Sequence, residues 1–374
     1  MSQPNPLWQL KEHGQSVWLD NLSRALIESG ELRRLIDEDG ISGITSNPAI
    51  FAAAIDGSDA YDGQIRELAG DGMDTLALYE SLAIDDIRAA ADLLRPTFDS
   101  CGGADGFVSL EVNPHLARDT DGTLEEAERL WRAVDRGNLM IKIPGTPEGL
   151  PAIEEALYRG VNINVTLLFS VDAYAEVMQA HLRALERRHA EGLALAGVAS
   201  VASFFLSRID SSIDKQLDAV GGEGADAAAA LRGETAVASA KSAYRLWRQI
   251  YAGERWERLA AAGAQVQRPL WASTSTKDPS YPDTKYVEPL IGEHTVNTMP
   301  ESTIDAFRDH GAVVPGSVEQ GVEEARAVPA QLAALGIDLH AATEKLVEEG
   351  IAKFEQPFDA LLENLEGKRT ALGA

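Results

Sequence analysis

The sequence predicts an α/β chain folded as a (β/α)8 TIM barrel with additional C-terminal helices, forming a single domain over residues 1–374. Three observations carry that prediction. Short apolar or β-branched runs alternate eight times with longer helix-like stretches, the pattern of parallel strands joined by crossover helices. At 374 residues the chain is long enough for one barrel with helical extensions and short for two full domains. The competing open, doubly wound sheet calls for a glycine-rich phosphate turn after its first strand, and the sequence has none there.

The eight strands are expected at 16–20, 43–46, 106–112, 138–144, 161–169, 197–205, 268–274 and 294–298. Helical periodicity falls between them at 75–95, 123–136, 171–188, 235–262 and 302–310. Turn chemistry marks several boundaries: Asn47-Pro48 follows the second strand, Gly145-Thr146-Pro147 follows the fourth, and Ser170 can cap the helix after the fifth. The low-complexity segment near 220–233, with Gly221-Gly222-Glu223-Gly224 and an alanine run, reads as a mobile insertion. From 318 to 374 the pattern is a helical extension, with breaks expected near Pro329 and Pro357, packing across the barrel. Phe354, Phe358, Leu361, Leu362 and Leu365 have core-like spacing in it and read as core only.

Composition narrows the function. With 45 % hydrophobic and 25 % charged residues, the chain resembles an ordinary globular protein. Its net charge of -26 argues against nucleic acid or an anionic membrane as partner, so an anionic substrate would need a local cationic pocket. The one cysteine, Cys101, lies in a turn-like stretch and allows no intrachain disulfide, which suits a reducing compartment. The start at Met1 shows no basic segment leading into an apolar one, and the longest uncharged stretch, 192–207, is too short for a membrane span. A cytoplasmic protein is expected. Its histidines are scattered, so neither a metal site nor a cofactor is expected, and no Gly-x-Ser-x-Gly elbow supports a serine nucleophile.

Lys142 stands alone in the apolar run 139–145, and only Lys11 accompanies it as a lysine in the first 200 residues. Arginine stays protonated in proteins, whereas a desolvated lysine can become a nucleophilic amine. A buried ion pair is the plainer alternative. Side chains two apart on a strand share a face, and barrel chemistry collects at the carboxyl ends of strands. By that rule Ser109 and Glu111 share a face in the third strand, Met140 and Lys142 in the fourth, Asn164 and Thr166 in the fifth, and Ser203 and Phe205 in the sixth. Asp20 ends the first strand and Asn47 closes the second. Each has an ordinary structural explanation alone; together they place an acid, a base and an amine at one barrel mouth, which fits carbonyl chemistry.

The stretches Gly43-Ile44-Thr45-Ser46-Asn47-Pro48, Ser109-Leu110-Glu111-Val112, Ile141-Lys142-Ile143-Pro144, Asn162 to Ser170, and Ser203 to Asp210 resemble those of the transaldolases, in order along nearly the whole chain. The resemblance implies a class I mechanism in which Lys142 forms an imine with a ketose phosphate and passes a dihydroxyacetone unit to an aldose phosphate. It implies that Asp20 takes the proton at the cleaved bond and that Glu111 and Thr166 hold the water of carbinolamine dehydration. Thr45, Asn47, Asn164, Ser203 and Phe205 would face the substrate. Arg208 and Ser273 match phosphate-end residues of the family, and where many members carry a second arginine this chain has Ser275, leaving Lys277 as the candidate second cation. An amine of ordinary pKa about 10.4 must fall toward about 7 to 8 to attack at neutral pH, so Glu111 is expected to bridge through water rather than pair tightly. The alternatives are a related aldolase releasing free dihydroxyacetone, disfavoured by Phe205 and Glu111, and a non-catalytic sugar-phosphate-binding barrel. Monomer and homodimer both remain open.

Overall fold

The computed structural model describes residues 5–69 and 72–372. Residues 1–4, on which the reading of the chain's start partly rests, and 373–374, the end of the expected extension, lie outside the described residues. Eight strands close into one parallel barrel in sequence order: β1 (Gln15–Leu19), β2 (Gly43–Ile44), β3 (Phe107–Glu111), β4 (Leu139–Pro144), β5 (Ile163–Leu168), β6 (Ser200–Phe205), β7 (Gln267–Ala272) and β8 (Thr295–Met299). All eight fall where the sequence placed them, to within three residues at each end. Nearly every strand residue is buried, because the barrel lumen and the surrounding helices cover both faces.

The shortest strand depends on a glycine. A Cβ on Gly43 would sit 2.4 Å from the Trp18 indole of β1, so only glycine lets the two strands pair there. Past Ile44, Thr45 and Ser46 leave the regular ladder and spend their hydroxyls on Asp20 and on the Ser109 carbonyl. A second irregularity lies in β5, where pairing with β6 shifts between Val165 and Leu168 and Leu167 takes a φ of 60°. A β-branched or bulky side chain seldom adopts that conformation, and such kinks concentrate near functional sites.

Four expectations about the helices need correction. The stretch 235–262 forms two helices, Thr235–Ile250 and Glu254–Ala261, and the turn between them seats Trp256 edge-on against Tyr251, with ring centroids 4.9 Å apart. Neither proline breaks the C-terminal region: Pro329 lies inside Val322–Ala334 and Pro357 inside Leu339–Ala371. The break falls instead at Gly336, whose φ of 78° ends the first helix in the manner glycine allows. The segment 220–233 is folded, with helix Ala225–Leu231 burying Ala228 and Leu231, and the Gly233 N–H donates to Asp214 at 2.8 Å.

Helix Leu339–Ala371 crosses the carboxyl end of the barrel and packs on helix Pro48–Asp56, on Ser207–Leu217 and on β5. Polar contacts hold it along its length: Glu348 pairs with Arg118, His115 Nε2 lies 2.7 Å from Asp359, Thr75 donates to Glu366 at 2.5 Å, and Lys368 donates to the Ile55 and Ser58 carbonyls at 3.0 and 2.7 Å. Among the described residues no helix is long and apolar enough to cross a membrane.

Candidate active site

Parallel register sets the centre of the site. Glu111 on β3 lies opposite Lys142 on β4, which in turn lies opposite Asn164 on β5. Residues so paired on neighbouring strands share a face about 4.8 Å apart. Lys142 is 4 % exposed; its Nζ donates to the Ser46 carbonyl at 3.1 Å and lies 3.6 Å from Glu111 Oε2. That separation exceeds the roughly 2.7–2.9 Å of a direct charge-assisted hydrogen bond. Both Glu111 oxygens and the Thr166 hydroxyl are buried without a hydrogen-bond partner among the described residues. Burial pushes the Glu111 carboxyl up to about 7, against the opposing pull of Lys142.

Asp20, at the end of β1, accepts from Thr45 Oγ1 at 2.7 Å, and Thr45 is linked in turn to Thr298 at 2.7 Å. Burial raises the Asp20 carboxyl above its ordinary value; Lys142, Thr45, Lys277 and Arg208, in falling order, oppose that rise. Asn164 is held from both sides, donating to Ser109 Oγ at 3.0 Å and accepting from Ser203 Oγ at 2.7 Å. Asn47 caps helix Pro48–Asp56 through its Oδ1, at 3.0 Å from the Ile50 N–H; among the described residues its amide NH2 has no partner, and the residue borders the cavity. Here the capping explanation and the site explanation hold together.

A cavity of about 300 Å³ opens from Lys142 to the rim, and Asp20, Thr45, Asn47, Ser203, Phe205, Arg208, Ser273 and Lys277 line it. Glu111, Asn164 and Thr166 sit behind this wall, and Glu111 borders a narrower space shared with Asn47, Tyr79 and Glu126. At the far end Arg208 lies over the Phe205 ring, 5.2 Å from its centroid, with a buried Nη1 unpartnered among the described residues. Lys277 donates to Ser275 Oγ at 2.7 Å, and Ser273, at a φ of 56°, shares a hydroxyl contact of 2.8 Å with Ser207. Burial lowers the pKa of Arg208; burial and then Arg208 itself lower that of Lys277. The two cations thus line one partly buried cleft, and groups of this kind suit an anion.

Comparison with known proteins gives the family. The family model described as transaldolase/fructose-6-phosphate aldolase matches residues 17–365. The chain belongs to the transaldolase/fructose-6-phosphate aldolase family. Similar curated proteins are transaldolase 2 of a Nostoc species, 49 % identical over 97 % of both chains, and a Parafrankia transaldolase, 49 % identical over 96 % of this chain and 97 % of that one. A Mycobacterium bovis transaldolase is 47 % identical over 97 % of both. The chain is thus an enzyme of the transaldolase kind.

Within this transaldolase-family barrel, sequence reasoning missed several residues of the mouth. Thr298 and Pro300, at the end of β8, line the cavity with Thr274, and polarity late in a strand was the signal for Thr298. Ser275, noted in the sequence as the departure from the usual arginine, also lines it. Phe354 corrects the reading of its helix as core alone. Its ring borders the cavity, with the centroid 5.5 Å from Lys142 Nζ. Helical periodicity held no signal for that role, because periodicity reports burial and not the identity of the neighbour. Cys101 is exposed and free, beside the amino end of β3 at the opposite face of the barrel.

Proposed function

We propose that this chain transfers a dihydroxyacetone unit from sedoheptulose 7-phosphate to glyceraldehyde 3-phosphate, giving erythrose 4-phosphate and fructose 6-phosphate, through a Schiff base on Lys142. The observation that carries this reading is one cavity lined by the buried Lys142 amine, the Asp20 carboxylate and the two cations Arg208 and Lys277, with Glu111 close behind the amine. Lys142 adds to the ketose carbonyl. Glu111, raised to about 7, exchanges protons near neutrality, and with the Thr166 hydroxyl it is placed to hold the water that leaves the carbinolamine. Asp20, also raised, accepts the proton of the hydroxyl at the bond to be cleaved. The carbon–carbon bond then breaks, its electrons pass into the iminium to give an enamine on Lys142, and the aldose leaves. The enamine attacks the incoming aldehyde, Asp20 returns the proton to the new hydroxyl, and water adds to the resulting iminium so that the carbon–nitrogen bond breaks and the product ketose leaves Lys142.

Asn47, Asn164, Thr45 and Ser203 supply hydrogen bonds to the hydroxyls of the three-carbon unit, while Arg208, Lys277 and Ser273 receive the phosphate. The reaction belongs to the non-oxidative pentose phosphate pathway. Phe205 and Glu111 favour transfer over release: Phe205 packs against Phe169 at 5.4 Å and puts a bare ring, with no hydroxyl, into the mouth. A cytoplasmic setting suits a chain whose one cysteine is free.

Borohydride reduction with fructose 6-phosphate, followed by peptide mass mapping, tests the mechanism. The expected adduct is on Lys142; an adduct on another lysine, or none, sinks the reading. Comparing turnover with and without an aldose acceptor then separates transfer from release.

A further inference from the structure

The three-carbon unit must stay on Lys142 until an acceptor arrives, which makes water in the same cavity a competitor. Most of the cavity wall is hydroxyl-rich or charged, as a sugar phosphate requires, and two aromatic rings interrupt it: Phe205 from β6 and Phe354 from helix Leu339–Ala371. Phe354 is 5 % exposed and is the wall residue that the C-terminal helix contributes. It is also the ring placed over the Lys142 amine.

Its position is built from both sides. One turn earlier, a Cβ on Gly350 would lie 2.9 Å from Leu167 Cδ2, so the absence of a side chain lets the helix settle on the kinked end of β5. One turn later, Phe358 stacks edge-on against Tyr79 at 5.7 Å and lies 6.1 Å from the His115 ring, filling the space beside Glu111. Spacing of i, i+4 aligns Gly350, Phe354 and Phe358 on one helix face turned to the mouth.

Resting on the transaldolase reading, we propose that Phe354 is a specificity-determining residue: its ring keeps solvent from the enamine formed on Lys142, and so sets the partition between transfer to an aldose and release of free dihydroxyacetone. Release requires the enamine to take one proton on carbon and become an iminium. Water then adds to that carbon, the carbon–nitrogen bond breaks, and dihydroxyacetone leaves with Lys142 as the ammonium. Transfer ends in the same hydrolysis of an iminium, so the step peculiar to release is protonation of the enamine carbon; solvent supplies that proton, and limiting solvent at the enamine suppresses release without touching the carbon–carbon chemistry of transfer. A ring also faces the cationic iminium favourably, where a polar side chain would carry water with it.

The test is the ratio of dihydroxyacetone release to acceptor transfer in the full-length enzyme, read for wild type, Phe354→Leu and Phe354→Ala, with melting curves beside it. Phe354→Ala should raise the ratio about 10-fold, equivalent to about 1.4 kcal/mol between the two barriers. Phe354→Leu, which keeps an apolar bulk, should raise it about 3-fold and carries the test if the alanine variant folds poorly. A fall in both rates at an unchanged ratio overturns the proposal and leaves Phe354 a packing residue. If wild type itself forms no borohydride-trapped adduct on Lys142, the transaldolase reading fails instead, an outcome distinct from an unchanged ratio.

Discussion

Replacing Glu111 by glutamine tests the electrostatics at the centre of the site. Burial lifts this carboxyl from an ordinary 4.5 to about 7 even with Lys142 at 3.6 Å. For an acid whose pKa is higher folded than unfolded, the native state holds its proton while the unfolded chain gives it up. The stability tied to that proton is present below the unfolded value and is lost as pH rises through the folded one. At about 1.36 kcal/mol per pK unit, a rise from 4.5 to about 7 costs the native state on the order of 2.5 kcal/mol between pH 5 and pH 8. Glutamine cannot titrate, so the variant should lose this part of the pH dependence. Urea unfolding of both proteins at pH 5 and pH 8 should show the variant's drop in stability between the two pH values smaller by about 2.5 kcal/mol. The raised carboxyl of Asp210, which is not among the groups acting on Glu111, titrates in both proteins and cancels in the comparison. An unchanged drop, to within about 0.5 kcal/mol, would refute the claim that Glu111 is a desolvated, proton-holding group. The same variant should slow imine formation, measured by single-turnover trapping, because dehydration of the carbinolamine loses its proton donor.

Lys142→Met should remove turnover and all trapped adduct while keeping the circular dichroism of the folded barrel. It should also destabilise the protein more at pH 8 than at pH 5, since an ionised Glu111 then loses its cation and a protonated one does not; equal losses at both pH values would contradict the pairing. Lys277→Ala should raise KM for sugar phosphates about 10- to 100-fold with kcat within about 3-fold, and weaken inhibition by inorganic phosphate in parallel. An unchanged KM would assign Lys277 to the surface rather than to phosphate. Gly43→Ala forces a Cβ to within 2.4 Å of the Trp18 ring and should cost about 1–3 kcal/mol, read by urea unfolding; a cost near zero would mean β1 and β2 separate freely.

The sequence alone determined the eight strands and the side chains they turn to the mouth, because strand alternation is a local rule read over five or six residues. Glu111, Lys142 and Asn164 were legible as candidates through it, and the register of β3 to β5 then set them in one row. Tertiary structure decided what local rules do not contain. Asn47 both caps a helix and borders the cavity because the cap uses only its Oδ1. Lys277 lines the same cavity as Arg208 because the loop after β7 turns toward the mouth. Pro329 and Pro357 sit within helices despite the cost that local propensity assigns them, since packing supplies more than propensity removes. Phe354 is the fullest case: it lies 212 positions after Lys142 in the chain and touches the site only because helix Leu339–Ala371 is clamped across the barrel by contacts with 55–58, 75 and 115–118. Contacts so distant in sequence leave no periodic trace, so the ring over the lysine could be found only in three dimensions.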